Sequence, residues 1–274
     1  MLHDQHMHSS FSKDSTEDLR NYYLEAKRLG IKYLLTCEHY DFHTTVDGTT
    51  WDVDYDKLIA TQEELKQEFT DITPLLGIEL GYRKDYLKEM IEIANKYDYD
   101  LIQLSIHDSG KGDYYFKETF ASGVEKIMKE YFDITEEALN TFSNFDVLSH
   151  IDFAFKTIVM IDYHYKFSDY EERIKKILQL LVKNNKALEI NSKVLKVINE
   201  IYLQNDKNYQ FDDHLRYLLK LYKECGGKKL TLSSDAHKAS KYRLDFDKHI
   251  AVIKEMGFDE LIYFIKRKEY IYKI

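Results

Sequence analysis

The chain has 274 residues, of which 44% are hydrophobic, with 39 Lys and Arg against 48 Asp and Glu for a net charge of -9. This length exceeds a common domain of ~100 to 200 residues but suits a single α/β barrel, and the apolar share can bury a sizeable core, which excludes long disorder. The acidic balance offers no broad electrostatic reason to bind a nucleic-acid backbone and favours a small, diffusible partner.

In chain order, the first expected strand covers residues 2 to 7. Its polar start, Met-Leu-His-Asp-Gln-His, lacks the basic opening and apolar stretch of a signal peptide. No apolar run reaches the ~20 residues needed to span a bilayer, so the expected location is the cytoplasm. A helix follows from Asp18 to Leu29, opened by Thr16-Glu17-Asp18 and stopped by Gly30. Further strands are expected at 32 to 37, 74 to 80, 100 to 106, 146 to 149, 187 to 191 and 229 to 234. Helical patterns lie at 55 to 69, 86 to 97, 123 to 142, 170 to 184, 212 to 224 and 244 to 256, with a last helix over 258 to 268. Pro74, the only proline, opens a strand, where its missing donor is tolerated.

This alternation argues for parallel βα units, and seven strands is an odd number for a TIM-like barrel. No Ser/Gly linker, repeat or low-complexity tract divides the chain, so a single domain over 1 to 274 is expected. Residues 40 to 54 and 108 to 122 are long for βα loops, which usually run ~2 to 6 residues. Both fall on the face where strands end, either as surface insertions or as a pocket rim or lid. Cys37 and Cys225 stand far apart without a Cys-x-x-Cys pair, which points to a reducing compartment.

Histidines and acids recur at the strand ends. Alternate residues of a strand point the same way, so His6 and His8 can aim at one point while Met7 turns away. Alone this pair is a weak signal, because buried histidines are commonly just hydrogen-bonded. The signal strengthens because other strands lead into His39, Glu79, His107, His150, and Asp235 with His237. Only the strand ending in Asn191 leads into none. Closing such strands into a barrel brings their ends together.

Mixed imidazole and carboxylate donors suit zinc, manganese or ferrous iron better than calcium, and two or three ions can be accommodated, with Glu79 as a bridge. Ions of this kind make hydroxide from water at neutral pH and brace attacking and leaving oxygens, so phosphate-ester hydrolysis is the natural reaction. Arg83, Lys156 and Lys193, each shortly beyond a strand end, could neutralise phosphate oxygens or be ordinary solvated charge. His43, in the long second loop, could contact substrate or shuttle a proton, and Asp152 could orient His150 or protonate a leaving alcohol. Tyr82, Trp51 and the Tyr114 cluster are candidate walls for a flat ring.

The segments Asp-Gln-His-Met-His-Ser-Ser-Phe-Ser at 4 to 12, Cys-Glu-His at 37 to 39, Gly-Ile-Glu-Leu-Gly-Tyr at 77 to 82 and Ser-Ile-His at 105 to 107 form a set. It continues with Ser-His-Ile-Asp at 149 to 152, Leu-Glu-Ile-Asn at 188 to 191 and Gly-Gly through Ser-Asp-Ala-His at 226 to 237. Together they resemble the PHP superfamily, polymerase and histidinol phosphatase domains, and most closely its histidinol-phosphatase branch. The resemblance implies a distorted (β/α)7 TIM-like barrel, the PHP fold, with a trinuclear site. His6, His8, Glu79 and Asp235 would hold one ion, Glu79, His107 and His150 a second, and His39 and His237, with Asp14, a third.

The implied activity is that of a metal-dependent phosphomonoesterase, with Glu79, Asp235 and His237 at the catalytic centre. It would convert L-histidinol phosphate to L-histidinol and phosphate, in histidine biosynthesis, through a metal-bridging hydroxide. The alternatives are a phosphatase of the same superfamily acting on phosphotyrosyl protein or another small ester, a nuclease, and a non-catalytic metal-binding protein. The expected partner is a small phosphorylated substrate, with neither nucleic acid nor membrane, and the sequence sets no oligomeric state. Three departures bear on the match: Glu38-His39 where Asp-His is common, Asn191-Ser192-Lys193-Val194 where Asn-Thr-Ser-Gly-like residues are common, and Lys156 where Arg is expected.

Overall fold

Strands covered on both faces read as near-continuous apolar runs. Six such runs pair in parallel in sequence order: β1 (Tyr33–Tyr40), β2 (Thr73–Gly81), β3 (Leu101–Ser105), β4 (Val147–Leu148), β5 (Ala187–Asn191) and β6 (Leu230–Ser233). The register sets His39 beside Glu79 and Glu79 beside Gln103, so chemistry-bearing residues gather where the strands end. The computed structural model describes residues 3 to 274.

The expected first strand is reduced to a single bridge, and Leu2, where it was to begin, lies outside the described residues. Met7 pairs in parallel with Ala236, the Cys37 amide donates to the Met7 carbonyl at 3.1 Å, and the His8 amide donates to the Ala236 carbonyl at 2.8 Å. The segment thus joins the end of β6 to β1 and closes the curled sheet as a distorted seven-part barrel. A longer ladder does not form because the Asp4 carboxylate accepts from the Ser234 and His6 amides, at 3.0 and 3.2 Å, in place of strand carbonyls.

The helices are α1 (Leu19–Leu29), α2 (Tyr55–Glu68), α3 (Leu87–Ala94), α4 (Val124–Thr141), α5 (Phe153–Ile161), α6 (Glu171–Lys183), α7 (Ser192–Asn205), α8 (Asp213–Glu224) and α9 (Phe246–Glu255). Asp18 caps α1 by accepting from the Arg20 amide at 2.8 Å, and Gly30 ends it at φ 68°. Two helices were not anticipated. In α5, Phe153 through Val159 are all buried, so it shows no polar face by which to recognise it. The other, α7, starts directly at β5, with Asn191 ending the strand and capping the helix through the Val194 amide.

The helix expected over 258 to 268 is instead an antiparallel hairpin of β7 (Glu260–Ile265) and β8 (Lys268–Lys273). Lys266 and Arg267 form its turn at φ 52° and 60°, a two-residue turn whose twist matches the strands. The run Leu-Ile-Tyr-Phe-Ile is β-branched and aromatic, which favours a pleated surface, and its short apolar span had misled the periodicity. Ile262 and Phe264 pack against Leu35, Cys37, Leu75, Leu101, Val147 and Ala187 at the strand beginnings. The Gln5 amide bonds both main-chain groups of Phe264 at 2.8 Å, which seals this end and leaves the strand ends as the open face. Among the described residues no helix is long and apolar enough to cross a membrane.

Candidate metal centre

At the open face, wholly buried Glu79 meets five histidines. Its Oε2 lies 3.1 Å from His6 Nε2, 3.4 Å from His8 Nε2 and 2.9 Å from His39 Nδ1. Its Oε1 lies 3.1 Å from His107 Nε2 and 2.8 Å from His150 Nε2. Asp235 Oδ1 stands 3.3 Å from His8 Nε2 and 3.4 Å from His237 Nδ1, while Asp14 Oδ2 is 2.9 Å from His237 Nε2 and 3.5 Å from His39 Nε2. His150 and Asp235 occupy left-handed backbone, φ 21° and 50°, a conformation that costs about 1 to 3 kcal/mol and persists where surrounding structure enforces it.

Several of these atoms are close to one another yet unsatisfied. His6 Nε2, His8 Nε2, His39 Nδ1 and Glu79 Oε2 are buried without an aligned hydrogen-bond partner, a costly state unless something else binds there. Four overlapping triads have ligand atoms within 4.8 Å of one another: His8-His39-His237, His6-His150-Asp235, His6-His8-Glu79 and His39-Glu79-His107. Imidazole nitrogens with carboxylate oxygens form a donor set that fits divalent transition-metal ions.

The electrostatics agree. Burial opposes charge on His6 and His39, but Glu79 and neighbouring carboxylates outweigh it and hold both well above the usual histidine range. On His107 the same contest, with Glu79 and Asp41 opposing burial, ends with a pKa pushed up to about 10. Burial likewise raises Glu79, but His6, His39 and His107 win and hold it well below the carboxylate range. Burial, then His39 and His237, push His8 the other way, well below its usual value. The carboxylates thus set up a field that favours positive charge on His6, His39 and His107, the field a metal cation would also meet.

The outward nitrogens of these rings are held by groups that sequence reasoning missed. His107 Nδ1 meets Asp41 Oδ1 at 3.0 Å, which leaves Nε2 for Glu79. Gly81 makes room for this carboxylate, since a Cβ there would lie 1.8 Å from Asp41 Oδ1. His8 Nδ1 meets Ser12 Oγ at 3.1 Å, and Ser12 donates in turn to Glu38 at 2.5 Å. The departure at Glu38 is thus a support beneath the histidines. Glu189 on β5 stands 2.7 Å from His6 Nδ1. Strand parity was the available signal for Asp41, which shares a face with His39 two residues earlier.

The cluster floors a cavity of about 590 Å³. Val46, Trp51, Tyr115, Phe116 and Phe153 supply apolar wall, and Asp108, Asp113, Lys156 and Lys193 supply charge. Lys156, carried in by α5, makes no salt bridge among the described residues, and its Nζ sits 4.1 Å from the Phe153 ring centre and 4.9 Å from that of Tyr115. Burial and then the Lys193 charge push its pKa down to about 8. Lys193, from the first turn of α7, stands 3.2 Å from Asp235 Oδ1 and 3.1 Å from His237 Nδ1.

Other candidates lie apart from this cavity. Arg83 donates to the Phe42 and His43 carbonyls at 3.2 and 3.0 Å and sits 3.5 Å from Asp108, so it ties the two long loops together. His43 is exposed and stacks on Tyr86, 5.2 Å between ring centres. Asp152 meets His214 Nε2 at 2.8 Å and makes no such contact with His150. The Tyr82 hydroxyl bonds Glu137 and Thr141, so the ring is not part of the wall, and in the Tyr114 cluster the wall is made by Tyr115 and Phe116.

A family model described as PHP domain matches residues 4 to 193. The histidinol-phosphatase of Lactococcus lactis subsp. lactis is 29% identical over 264 residues, covering 95% of this chain and 93% of that protein. The solved structure of histidinol phosphate phosphatase from Lactococcus lactis, complexed with zinc, L-histidinol and phosphate, matches with a TM-score of 0.83 at 27% identity, covering 97% of this chain and 98% of that chain. A structure from Listeria monocytogenes shares the fold, with a TM-score of 0.71 at 17% identity over 90% of this chain and 99% of its own.

Proposed function

The chain belongs to the PHP domain family, and from that premise we propose that it is a metal-dependent phosphomonoesterase that hydrolyses L-histidinol phosphate to L-histidinol and phosphate. The observation that carries this reading is the convergence of five histidines on the two oxygens of Glu79, at the floor of a cavity with two lysines on its wall. The likeness to a relative described with zinc, L-histidinol and phosphate supports it across nearly the whole chain.

His6, His8, Asp14, His39, Glu79, His107, His150, Asp235 and His237 would hold two or three divalent ions, of zinc, manganese or iron. Such ions polarise phosphoryl oxygens and make water nucleophilic at neutral pH. The remaining work falls to the chain's own side chains. Lys156 and Lys193 present positive charge to the phosphate from neighbouring helix starts, and Asp235 and His237 flank the Lys193 ammonium. A phosphate oxygen adds a close anion beside Lys156 and raises its pKa back from about 8, keeping it protonated during turnover. Exchanging Lys156 for Met should lower kcat/KM on every monoester by roughly 10²-fold. The melting temperature of the ester-free protein should hold or rise, because a buried ammonium is removed. Kinetics on two esters together with thermal denaturation check both parts.

Alcohol recognition falls to the acidic and aromatic residues of the cavity rim. The oxygens of Asp108 are taken by Thr45, Gly110 and Arg83. The Asp113 carboxylate accepts from the Tyr115 amide at 2.7 Å and, among the described residues, makes no salt bridge, although it lies within the electrostatic reach of His107 and Lys156. Beside the Tyr115 and Phe116 rings, its free oxygen suits a flat leaving group that carries an ammonium, as histidinol does. Asp113→Asn keeps the acceptor for Tyr115 and removes the charge. It should cut kcat/KM for L-histidinol phosphate by roughly 10- to 100-fold, mainly through KM, and leave p-nitrophenyl phosphate unchanged. An equal loss on both esters would remove Asp113 from alcohol recognition. A wild-type protein that preferred p-nitrophenyl phosphate would overturn the substrate and leave the reaction class standing.

A further inference from the structure

β5 ends without a candidate ligand, yet it carries the buried carboxylate of Glu189. Glu189 belongs to none of the ligand triads. Its two oxygens are met by four donors. Oε1 accepts from His6 Nδ1 at 2.7 Å and from Gln103 Nε2 at 3.4 Å, and Oε2 accepts from the His150 main-chain amide at 3.0 Å and from Asn191 Nδ2 at 3.1 Å. A carboxylate is the one side-chain group that accepts at both atoms with room for about four bonds, and here donors fill it.

Two candidate ligands depend on this arrangement. Accepting from Nδ1 of His6 keeps the ring proton there when an ion binds and presents Nε2, which faces Glu79 Oε2 3.1 Å away, as the ligand atom. At His150 the bond holds a main chain at φ 21°. That turn follows β4, which pairs only through Val147 and Leu148, so the ladder gives it little support. The Tyr131 hydroxyl grips the same turn from α4, through the His150 and Ile151 carbonyls at 3.4 and 3.1 Å. His6 and His150 come from distant parts of the chain and meet in the triad completed by Asp235.

We propose that Glu189 is a positioning residue that sets His6 and His150 as a pair, and so forms the metal position they share with Asp235. The proposal rests on the reading of the cluster as a metal centre. Glutamine cannot replace it, although its size is right. Its amide nitrogen would face either His6 Nδ1, which drives the ring proton onto Nε2 and closes the ligand face, or the His150 and Asn191 donors.

The test is metal binding by Glu189→Gln, measured as metal content after equilibrium dialysis at graded free zinc and as the visible spectrum of the cobalt-loaded protein. One ion position should weaken by roughly 10- to 100-fold, the range for loss of a ligand's outer partner. The cobalt spectrum should lose one component, and excess metal should restore hydrolysis at an unchanged KM. Wild-type stoichiometry and affinity with only a lowered melting temperature would overturn the proposal, as would an even weakening of every ion. Should the glutamine variant not fold, Glu189→Asp, which keeps an acceptor-only group but shortens its reach, is read by the same two outcomes. A wild-type protein that bound no metal would overturn the metal centre itself, a result distinct from either.

Discussion

Exchanging Glu79 for Gln should reduce kcat for L-histidinol phosphate by roughly 10³-fold or more, the scale on which groups acting as a unit fail together. The expectation follows from how much converges on one side chain. Two oxygens face five imidazoles. An amide retains one acceptor, turns a donor toward the remaining nitrogens and removes the charge that offsets the bound cations. Metal content should fall with activity. A Glu79→Gln protein that kept a tenth of wild-type turnover would deny Glu79 its central role.

Chelation should abolish activity and lower the melting temperature, and zinc or manganese should restore both. An ion that binds only the folded chain stabilises it by about 2.7 kcal/mol at 100 times Kd, or about 5 to 10 °C for a chain of this size. The effect carries a pH signature. In the metal-free protein burial works against a charged His107, but Glu79 and Asp41 prevail and its pKa rises to about 10. A raised histidine pKa contributes stability that is complete below the unfolded value of about 6.5 and is lost as pH rises through about 10. A bound ion must displace that proton, so apparent metal affinity should strengthen between pH 6.5 and pH 8.5, with proton release. Competition against a chromophoric chelator measures it, and an affinity flat or falling with pH would contradict the account.

Of the residues that converge on Glu79, His39, His107 and His150 could be found in the sequence because each follows an apolar run, and His6 and His8 because they alternate on one strand; barrel closure brings these ends together. What surrounds them was hidden for a physical reason. Asp41, Glu38 and Glu189 are also acids in or beside strands, and only side-chain direction and barrel closure decide whether a carboxylate faces the open end or braces a histidine from behind. Arg83 looked like a phosphate ligand from its place after β2, but the path of the 40 to 54 loop sets the Phe42 and His43 carbonyls in its reach. Periodicity carries no record of such a path. It failed again at α5, buried on all sides, and at β7, whose five-residue apolar run served strand and helix equally well.

The central claim is tested most directly by phosphate release from L-histidinol phosphate, with a phosphotyrosine peptide in parallel, using protein stripped of metal and then loaded with zinc or manganese. The account predicts no release from the stripped protein, and turnover of L-histidinol phosphate by the loaded protein at a kcat/KM well above that for the peptide. Equal activity without metal, or a loaded protein that hydrolyses the peptide and leaves L-histidinol phosphate untouched, would contradict it.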